Sequence, residues 1–289
     1  MSTINKISYQ KINRTGLPIN VDIRFPVGNN DRKVPLVLIA HGFKGYKDWG
    51  FFPYISEQIS ATGFITACFN FSLNGMNDSV DLIVDMDSFA NLTVSSELAD
   101  IEELIEAAVS GEMLTGETAR IWNGEIVVLG HSLGGGVALL AAKNDMRAGR
   151  NIINKIILWS SVGHFDRYTE RQKKIWKASG MAEFPNVSTG QIIRLNYSFI
   201  DDIEQNKVQF TLSEAVSNLM IPVLIVHGRQ DMTVPMKEIQ ILIDAADQKY
   251  LTTEIIESTG HCFHIEHPFP DTSPGLDKAI SATIRFLKT

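Results

Sequence analysis

Short continuous runs of apolar residues recur along the chain and are separated by longer amphipathic stretches. A continuous apolar run is typical of a strand that is covered on both faces. Residues 4–12 and 17–25 instead alternate apolar and polar side chains around Thr15-Gly16, which predicts a hairpin at one edge of a sheet. The predicted buried strands are 34–40, 64–71, 125–130, 155–160, 222–228 and 251–256.

Between these runs, apolar residues return at helical spacing. Val94, Leu98, Ile101, Ile105 and Ala108 follow a 4-3-4-3 spacing and predict a helix over 94–109 with its Glu and Asp side chains facing water. Similar patterns predict helices at 52–62, after the 125–130 strand, after Pro235 and at 276–287. Strands alternating with helices predict an α/β fold with a mostly parallel sheet, whose sites lie at the carboxyl ends of the strands.

Two stretches lack a clear period. Residues 72–91 are polar with scattered apolar positions and are expected to form a long loop. Residues 163–219 are expected to be irregular, apart from a charged, helix-like run at 169–177. These two segments are where the pattern predicts least.

The composition of the chain argues against nucleic-acid binding, a disulfide-stabilised fold and a membrane-embedded protein. The chain of 289 residues has a formal charge of −7, from 33 acidic and 26 basic residues, and lacks a long basic run, so a nucleic-acid partner is not expected. Cys68 and Cys262 form no disulfide framework and are expected to be free thiols in a reducing compartment. We find no signal-like start and no apolar run of roughly 18 residues, which predicts a soluble, cytoplasmic protein without a membrane partner. Oligomeric state stays open, with a homodimer as one option.

The strand at 125–130 leads directly into Gly130-His131-Ser132-Leu133-Gly134, which contains G-x-S-x-G. A strand that turns sharply into a helix leaves little space beside the central serine. It also forces strained backbone angles that lift the hydroxyl clear of the sheet. Ser132 is therefore a candidate nucleophile.

A serine needs a base to accept its proton, and a third group to hold that base. The 222–228 strand is followed by Asp231, and the 251–256 strand is followed by His261. Both would lie at the same edge of the sheet as Ser132. Asp166, shortly after the 155–160 strand, is an alternative acid.

With these residues in place, the sequence resembles the α/β-hydrolase family over nearly its whole length, most closely the small serine esterases and cinnamoyl-esterase-like acyl hydrolases. The resemblance implies a single domain over residues 1–289 with a mostly parallel eight-stranded sheet, helices on both faces, and a lid inserted after strand 6 at 163–219. One loop departs from the family: where many relatives carry D-x-R-G-x-G, this chain reads Asn70-Phe71-Ser72-Leu73-Asn74-Gly75. The matching motifs are His41-Gly42-Phe43, Gly130-His131-Ser132-Leu133-Gly134, Asp231-x-x-Val234-Pro235 and Gly260-His261.

Roles follow from the chemistry of acyl transfer. Ser132 would attack an acyl carbonyl, His261 would carry the proton, and Asp231 would orient the imidazole. The backbone N–H groups of Phe43 and Leu133 are the candidate oxyanion donors. Aromatic residues near the loop and in the lid are the candidate substrate-binding residues: Tyr46, Trp49, Phe165, Trp176 and Phe199.

Other residues could in principle form a site apart from the one around Ser132. His261, His264 and His267 form H-x-x-H-x-x-H, but two prolines follow and helix-forming character is lacking, so no metal is expected. Cys262 is better explained as a packed thiol than as a nucleophile, and His41 as a residue that fixes its loop.

The sequence therefore predicts a serine hydrolase that acts on a small ester, or on a thioester, without a cofactor. A peptidase or amidase that uses the same three residues, with Asp201, Asp202 and Glu204 binding a substrate amine, is the first alternative. A non-catalytic ligand-binding protein on the same fold is the second alternative.

Overall fold

The computed structural model describes residues 3–28, 32–77, 79–186 and 189–289. The first two residues of the chain and positions 187–188 of the predicted lid therefore lie outside the described residues. The strands are β1 (Ile4–Ile12), β2 (Pro18–Pro26), β3 (Val34–Ala40), β4 (Ile65–Phe69), β5 (Trp122–His131), β6 (Ile153–Trp159), β7 (Met181–Pro185), β8 (Ile192–Asn196), β9 (Val223–Gly228) and β10 (Leu251–Ile256). The helices are α1 (Phe52–Ala61), α2 (Met86–Ala90), α3 (Val94–Val109), α4 (Gly116–Ile121), α5 (Leu133–Arg147), α6 (Glu170–Ser179), α7 (Ser198–Gln205), α8 (Leu212–Ser217), α9 (Met236–Ala245) and α10 (Pro274–Leu287).

Eight strands form one sheet in the order β1-β2-β4-β3-β5-β6-β9-β10. Strand β2 is antiparallel to β1 and β4, and all the other pairs are parallel. The carboxyl ends of β3 and β5 lie side by side, since Ala40 pairs with Gly130. Strands β9 and β10 also end side by side, since Gly228 pairs with Ile256. The predicted mainly parallel, eight-stranded sheet is confirmed.

Both faces of the central strands of this sheet are buried. Leu38 and Val128 belong to a core beneath α3, α5 and α9, whereas their neighbours Ile39 and Leu129 belong to a second core beneath α1 and α10. Successive side chains of a strand point to opposite faces, so two covered faces require apolar residues at every position. This arrangement explains the continuous apolar runs in the sequence.

The predicted helix at 94–109 is present as α3, but its acidic residues do not all face water. Glu97, Asp100 and Glu103 are buried. The two carboxylate oxygens of Asp100 accept hydrogen bonds from the side chain of Asn13 at 3.0 Å and from the backbone N–H of Ser72 at 2.7 Å. Glu103 accepts from the backbone N–H of Arg14. The prediction of a solvated acidic face was wrong because these donors come from distant parts of the chain.

Glu97 differs from the other two acids. Neither of its carboxylate oxygens has a hydrogen-bond partner among the described residues. Burial, reinforced by the nearby charge of Asp100, raises the pKa of Glu97 well above its usual value. Burial of Glu97 without a hydrogen-bond partner in the described parts of the chain therefore favours its neutral form.

Two stretches of the chain contain more regular structure than the pattern predicts. The 72–91 segment includes the short helix α2, and α4 forms where no element was predicted. Between β6 and β9, the chain forms α6, the antiparallel β7–β8 hairpin, α7 and α8, so the expectation of an irregular segment was wrong. The helix predicted at 169–177 is present as α6.

The segment between β6 and β9 is held together by contacts among its own elements. The indole N–H of Trp176 on α6 donates to the carbonyl of Leu195 on β8 at 2.9 Å, and the ring stacks on Phe199 of α7. These buried aromatic contacts join three short elements that would be unstable separately.

Candidate active site

Ser132 lies between the end of β5 and the start of α5, with φ 56° and ψ −120°. A residue other than glycine adopts this backbone conformation only where its surroundings enforce it. The backbone N–H of Ser132 donates to the carbonyl of Trp159 at 2.9 Å, and its carbonyl accepts from the N–H groups of Gly135 and Val162 at 3.1 Å. These bonds fix the strained serine at the carboxyl edge of the sheet and the amino end of α5.

Glycines make this turn sterically feasible. A Cβ on Gly130 would overlap the carbonyl of Gly134, and a Cβ on Gly134 would overlap the carbonyl of His41. The strand, the helix and the 41–45 loop can approach this closely only because these side chains are absent.

His261 and Asp231 form a hydrogen-bonded pair. Nδ1 of His261 lies 2.7 Å from Oδ2 of Asp231, while Oδ1 of Asp231 accepts from the backbone N–H groups of Thr233 and Val234 at 2.8 Å. Burial opposes ionisation of Asp231, but the hydrogen bond and charge of His261 outweigh it and lower the pKa of the carboxyl. An ionised acceptor places the proton of His261 on Nδ1, which leaves Nε2 free to accept a proton.

Two buried histidines that were not predicted as site residues flank this pair. His131 directly precedes the serine, and its Nε2 donates to the backbone carbonyl of His261 at 3.1 Å. His227 donates from Nε2 to the carbonyl of Val234 at 2.9 Å, and the same nitrogen lies 3.7 Å from Oδ2 of Asp231. A signal for both existed in the sequence, since His131 directly follows the predicted 125–130 strand and His227 lies next to the end of the predicted 222–228 strand.

The structure brings Ser132 to the same edge as the His261–Asp231 pair. The ring of His131, the residue preceding the serine, lies 4.8 Å from the ring of His261 between centroids. Across the described residues, the Ser132 hydroxyl makes no side-chain hydrogen bond with His261. In enzymes without substrate, such a contact is often long and tightens in the complex.

The 41–45 loop lies directly beside the serine. His41 donates from Nδ1 to the carbonyl of Gly42 at 2.9 Å and accepts at Nε2 from the backbone N–H of Phe71 at 3.3 Å. Burial lowers the pKa of His41 to about 4, so its ring is neutral and braces the loop. Within the described chain, the backbone N–H groups of Phe43 and Leu133 have no hydrogen-bond partner. Their role as oxyanion donors stays a prediction.

The predicted substrate-binding aromatics are mostly buried in packing contacts. Tyr46 is buried and donates to the carbonyl of Asp81, whereas Trp49 is half-buried and stacks on His267. Phe165 packs on Phe210. Trp176 and Phe199 stack together, as described above. Contact between these five residues and a substrate stays a prediction.

Two aromatic residues outside the predicted set contact the loop instead. The ring of Phe43 lies 5.4 Å from that of Phe184 on β7 and 5.6 Å from that of Phe89 on α2. Lys44 donates from Nζ to the carbonyl of Pro185 at 2.9 Å. The β7–β8 hairpin is thus attached to the loop that carries the Phe43 donor.

The alternative site residues are engaged elsewhere. Asp166 pairs with Nζ of Lys173 at 2.7 Å, and His267 bridges Asp81 and the backbone N–H of Gly50. His264 is exposed, and the described residues contain no group of three or more His, Cys, Asp or Glu that could hold a metal ion. Burial raises the pKa of the Cys262 thiol to about 12.

With this fold and arrangement established, the chain can be placed among known proteins. It belongs to the alpha/beta hydrolase family, whose model matches residues 36–272. The family predicted from the sequence motifs is therefore confirmed.

Individual relatives are distant. The chain is 24% identical over 256 residues to 2,6-dihydropseudooxynicotine hydrolase of Paenarthrobacter nicotinovorans, a match that covers 86% of this chain and 58% of that protein. Its fold is similar to that of Est1E from Butyrivibrio proteoclasticus with bound ferulic acid, with a TM-score of 0.66, 22% identity and 98% of each chain covered. It is also similar to alpha/beta hydrolase domain-containing protein 10 from mouse, with a TM-score of 0.68, 16% identity and 99% of each chain covered. Family and relatives together support a hydrolase function.

Among the described residues, no helix combines the length and the apolar character that crossing a membrane would require.

Proposed function

We propose that this protein is a serine hydrolase that cleaves a carboxylic ester, or a thioester, of a small substrate through an acyl-enzyme. The observation that supports the proposal is that two features lie at the same edge of the sheet. One is the strained serine after β5, and the other is a histidine whose Nδ1 is hydrogen-bonded to an aspartate, which leaves its Nε2 free.

In the proposed mechanism, Nε2 of His261 takes the proton of Ser132 as the hydroxyl oxygen attacks the acyl carbonyl. The N–H groups of Phe43 and Leu133 stabilise the oxyanion that develops on the carbonyl oxygen. His261 then protonates the leaving alcohol, and the ester oxygen departs with the carbonyl–oxygen bond broken. A water molecule activated by His261 hydrolyses the acyl-serine in the second half-reaction. Asp231 remains ionised and stabilises the imidazolium in both halves.

In this proposal residues 163–219 act as a lid. The contacts of Phe184 and Pro185 with residues 43 and 44 support this role, because they link the hairpin to the loop that carries one of the two proposed oxyanion donors.

An ester substrate is favoured over an amide. Two of the carboxylates considered for binding a substrate amine are engaged by internal partners. Asp202 accepts from the backbone N–H of Ser95 at 2.9 Å, and Glu204 lies 3.4 Å from Nζ of Lys173.

Labelling with a fluorophosphonate tests the nucleophile. Wild type and Ser110→Ala, a control on the exposed end of α3, should be labelled, whereas Ser132→Ala should not be and should lose turnover by on the order of 10⁶-fold. A panel of p-nitrophenyl acetate, longer acyl esters, thioesters and an aminoacyl anilide then defines the bond cleaved. Labelling of Ser132→Ala, or faster anilide than ester cleavage, would overturn the respective part of the proposal.

A further inference from the structure

His131 joins two parts of the candidate site that are remote in sequence. It ends β5 immediately before Ser132, and its Nε2 lies 3.1 Å from the backbone carbonyl oxygen of His261. A carbonyl only accepts hydrogen bonds, so this nitrogen carries the hydrogen and donates it. The side chain before the nucleophile therefore holds the backbone of the candidate base.

The surroundings of His131 favour one neutral form of the ring. Phe51 and Phe52 pack against it edge-on, with centroids at 5.3 and 6.1 Å. Burial, together with the nearby His261, lowers the pKa of His131 to about 3. A neutral ring places no fixed positive charge beside His261 when that residue becomes an imidazolium.

Other hydrogen bonds of the loop that carries His261 lead away from the nucleophile. Thr259 accepts from the backbone N–H of Gln230, and the His261 side chain is held by Asp231, so both of these links lead to the β9 side of the site. The bond from His131 leads to β5 and Ser132. This bond therefore links the backbone of the candidate base to the strand that ends beside Ser132, which the pairing with Asp231 does not do.

We propose that His131 is a positioning residue, whose Nε2–H donor holds the backbone of His261 in the position from which its imidazole accepts the proton of Ser132. The proposal rests on the proposed function for its effect on turnover. Its effect on the geometry of His261 is independent of what the substrate is.

Two variants separate hydrogen bonding from packing. His131→Phe keeps the ring's volume between Phe51 and His261 but removes the donor. His131→Gln is neutral and places an amide N–H near the position of Nε2. His264→Phe, an exposed position in the same loop, is the matched control for replacing a histidine by phenylalanine.

Steady-state kinetics on p-nitrophenyl acetate give the first readout. Displacement of a reacting group by about 1 Å costs on the order of 100-fold, so we expect His131→Phe to lower kcat by roughly 10- to 100-fold with KM within about twofold. His131→Gln should recover most of the loss, and His264→Phe should match wild type. A kcat for His131→Phe within twofold of wild type, or an equal loss in His131→Gln, would overturn the proposal.

A second readout does not need activity. The proton on Nδ1 of His261, which is shared with Asp231, should give a downfield NMR resonance. We expect it to shift or broaden in His131→Phe and to be retained in His131→Gln, with unfolding temperatures compared in parallel. If wild type cleaves no ester but the resonance responds in this way, the proposed function fails while the positioning role holds. An unchanged resonance in His131→Phe contradicts the positioning role.

Discussion

Gly42 lies against Ser132 so closely that a Cβ on the glycine would stand 2.7 Å from the serine Cβ and 3.3 Å from its Oγ. Atoms at such distances cannot remain in place. The 41–45 loop and the nucleophile turn therefore share a surface with no spare volume, and the separation of the Phe43 donor from Ser132 depends on the absence of one methyl group.

Gly42→Ala should consequently lower kcat by about 100-fold, since it displaces either the serine or the oxyanion loop by a fraction of an ångström or more. Gly260→Ala is the matched control, because its Cβ would meet only the carbonyl of Gln230 at an ordinary 3.6 Å, although it neighbours His261. Kinetics and thermal unfolding of both variants test this contrast. Equal losses in the two variants would show that proximity to the site, and not steric overlap, governs activity.

Substitutions of Asp231 and Asp166 should show which of the two carboxylates orients His261. The carboxylate of Asp231 sets the tautomer of His261, and its replacement by an amide should reduce kcat by about 10⁴-fold in Asp231→Asn. Asp166→Asn should stay within about twofold of wild type, since Asp166 contacts Lys173 and not His261. The reverse order of activities would assign the acid to Asp166.

Thiol chemistry should not affect turnover. Burial raises the pKa of both Cys68 and Cys262 to about 12, so little reactive thiolate exists near neutral pH. We expect the native protein to resist iodoacetamide at pH 7.5, measured by intact mass, and Cys262→Ala to keep at least about half of wild-type kcat. Inactivation that follows modification of Cys262 would contradict the packed-thiol interpretation.

Glu97 should make the protein less stable as pH rises. Its raised pKa means that the folded state binds the proton more tightly than the unfolded state. Stability is therefore greatest below the ordinary carboxyl pKa and falls as pH rises towards the folded-state pKa. One pKa unit corresponds to about 1.4 kcal/mol, so Glu97→Gln should increase the free energy of unfolding at pH 8 by on the order of 1 kcal/mol.

Chemical denaturation at pH 4.5 and at pH 8 measures this effect. The gain from Glu97→Gln should be small at the lower pH and larger at the higher pH. Glu57→Gln, at an exposed position on α1, should show no such trend. A gain that is equal at both pH values would indicate a packing effect and not relief of a buried charge.

The sequence predicted the sheet and its covering helices because their signals are local. Runs such as Leu36–Ala40 and Ile126–Leu129 are apolar at every position, and α3 carries its apolar spacing over sixteen residues. The site motifs were equally visible, since each follows a strand whose end the pattern already located.

The predictions that failed concern residues whose contact partners are distant in the sequence. The burial of Asp100 is compensated by hydrogen bonds from Asn13 and Ser72, and both residues lie far from α3 in the sequence. The β7 and β8 strands have five residues each, too few for a period to emerge, and their positions depend on contacts such as Trp176 with Leu195. His131 was read as part of a motif, but its bond to His261 spans 130 residues.

The contacts of Phe184 and Pro185 with the 43–44 loop have an evolutionary consequence. A substitution in the hairpin that reshapes access for a new substrate would also shift the loop that carries the proposed oxyanion donor. Substrate selectivity and kcat would then change together. A protein that acquires substitutions in this hairpin would therefore need compensating substitutions around Phe43 to keep its catalytic rate. Sequence drift in residues 181–196 and around Phe43 and Phe89 should therefore be correlated.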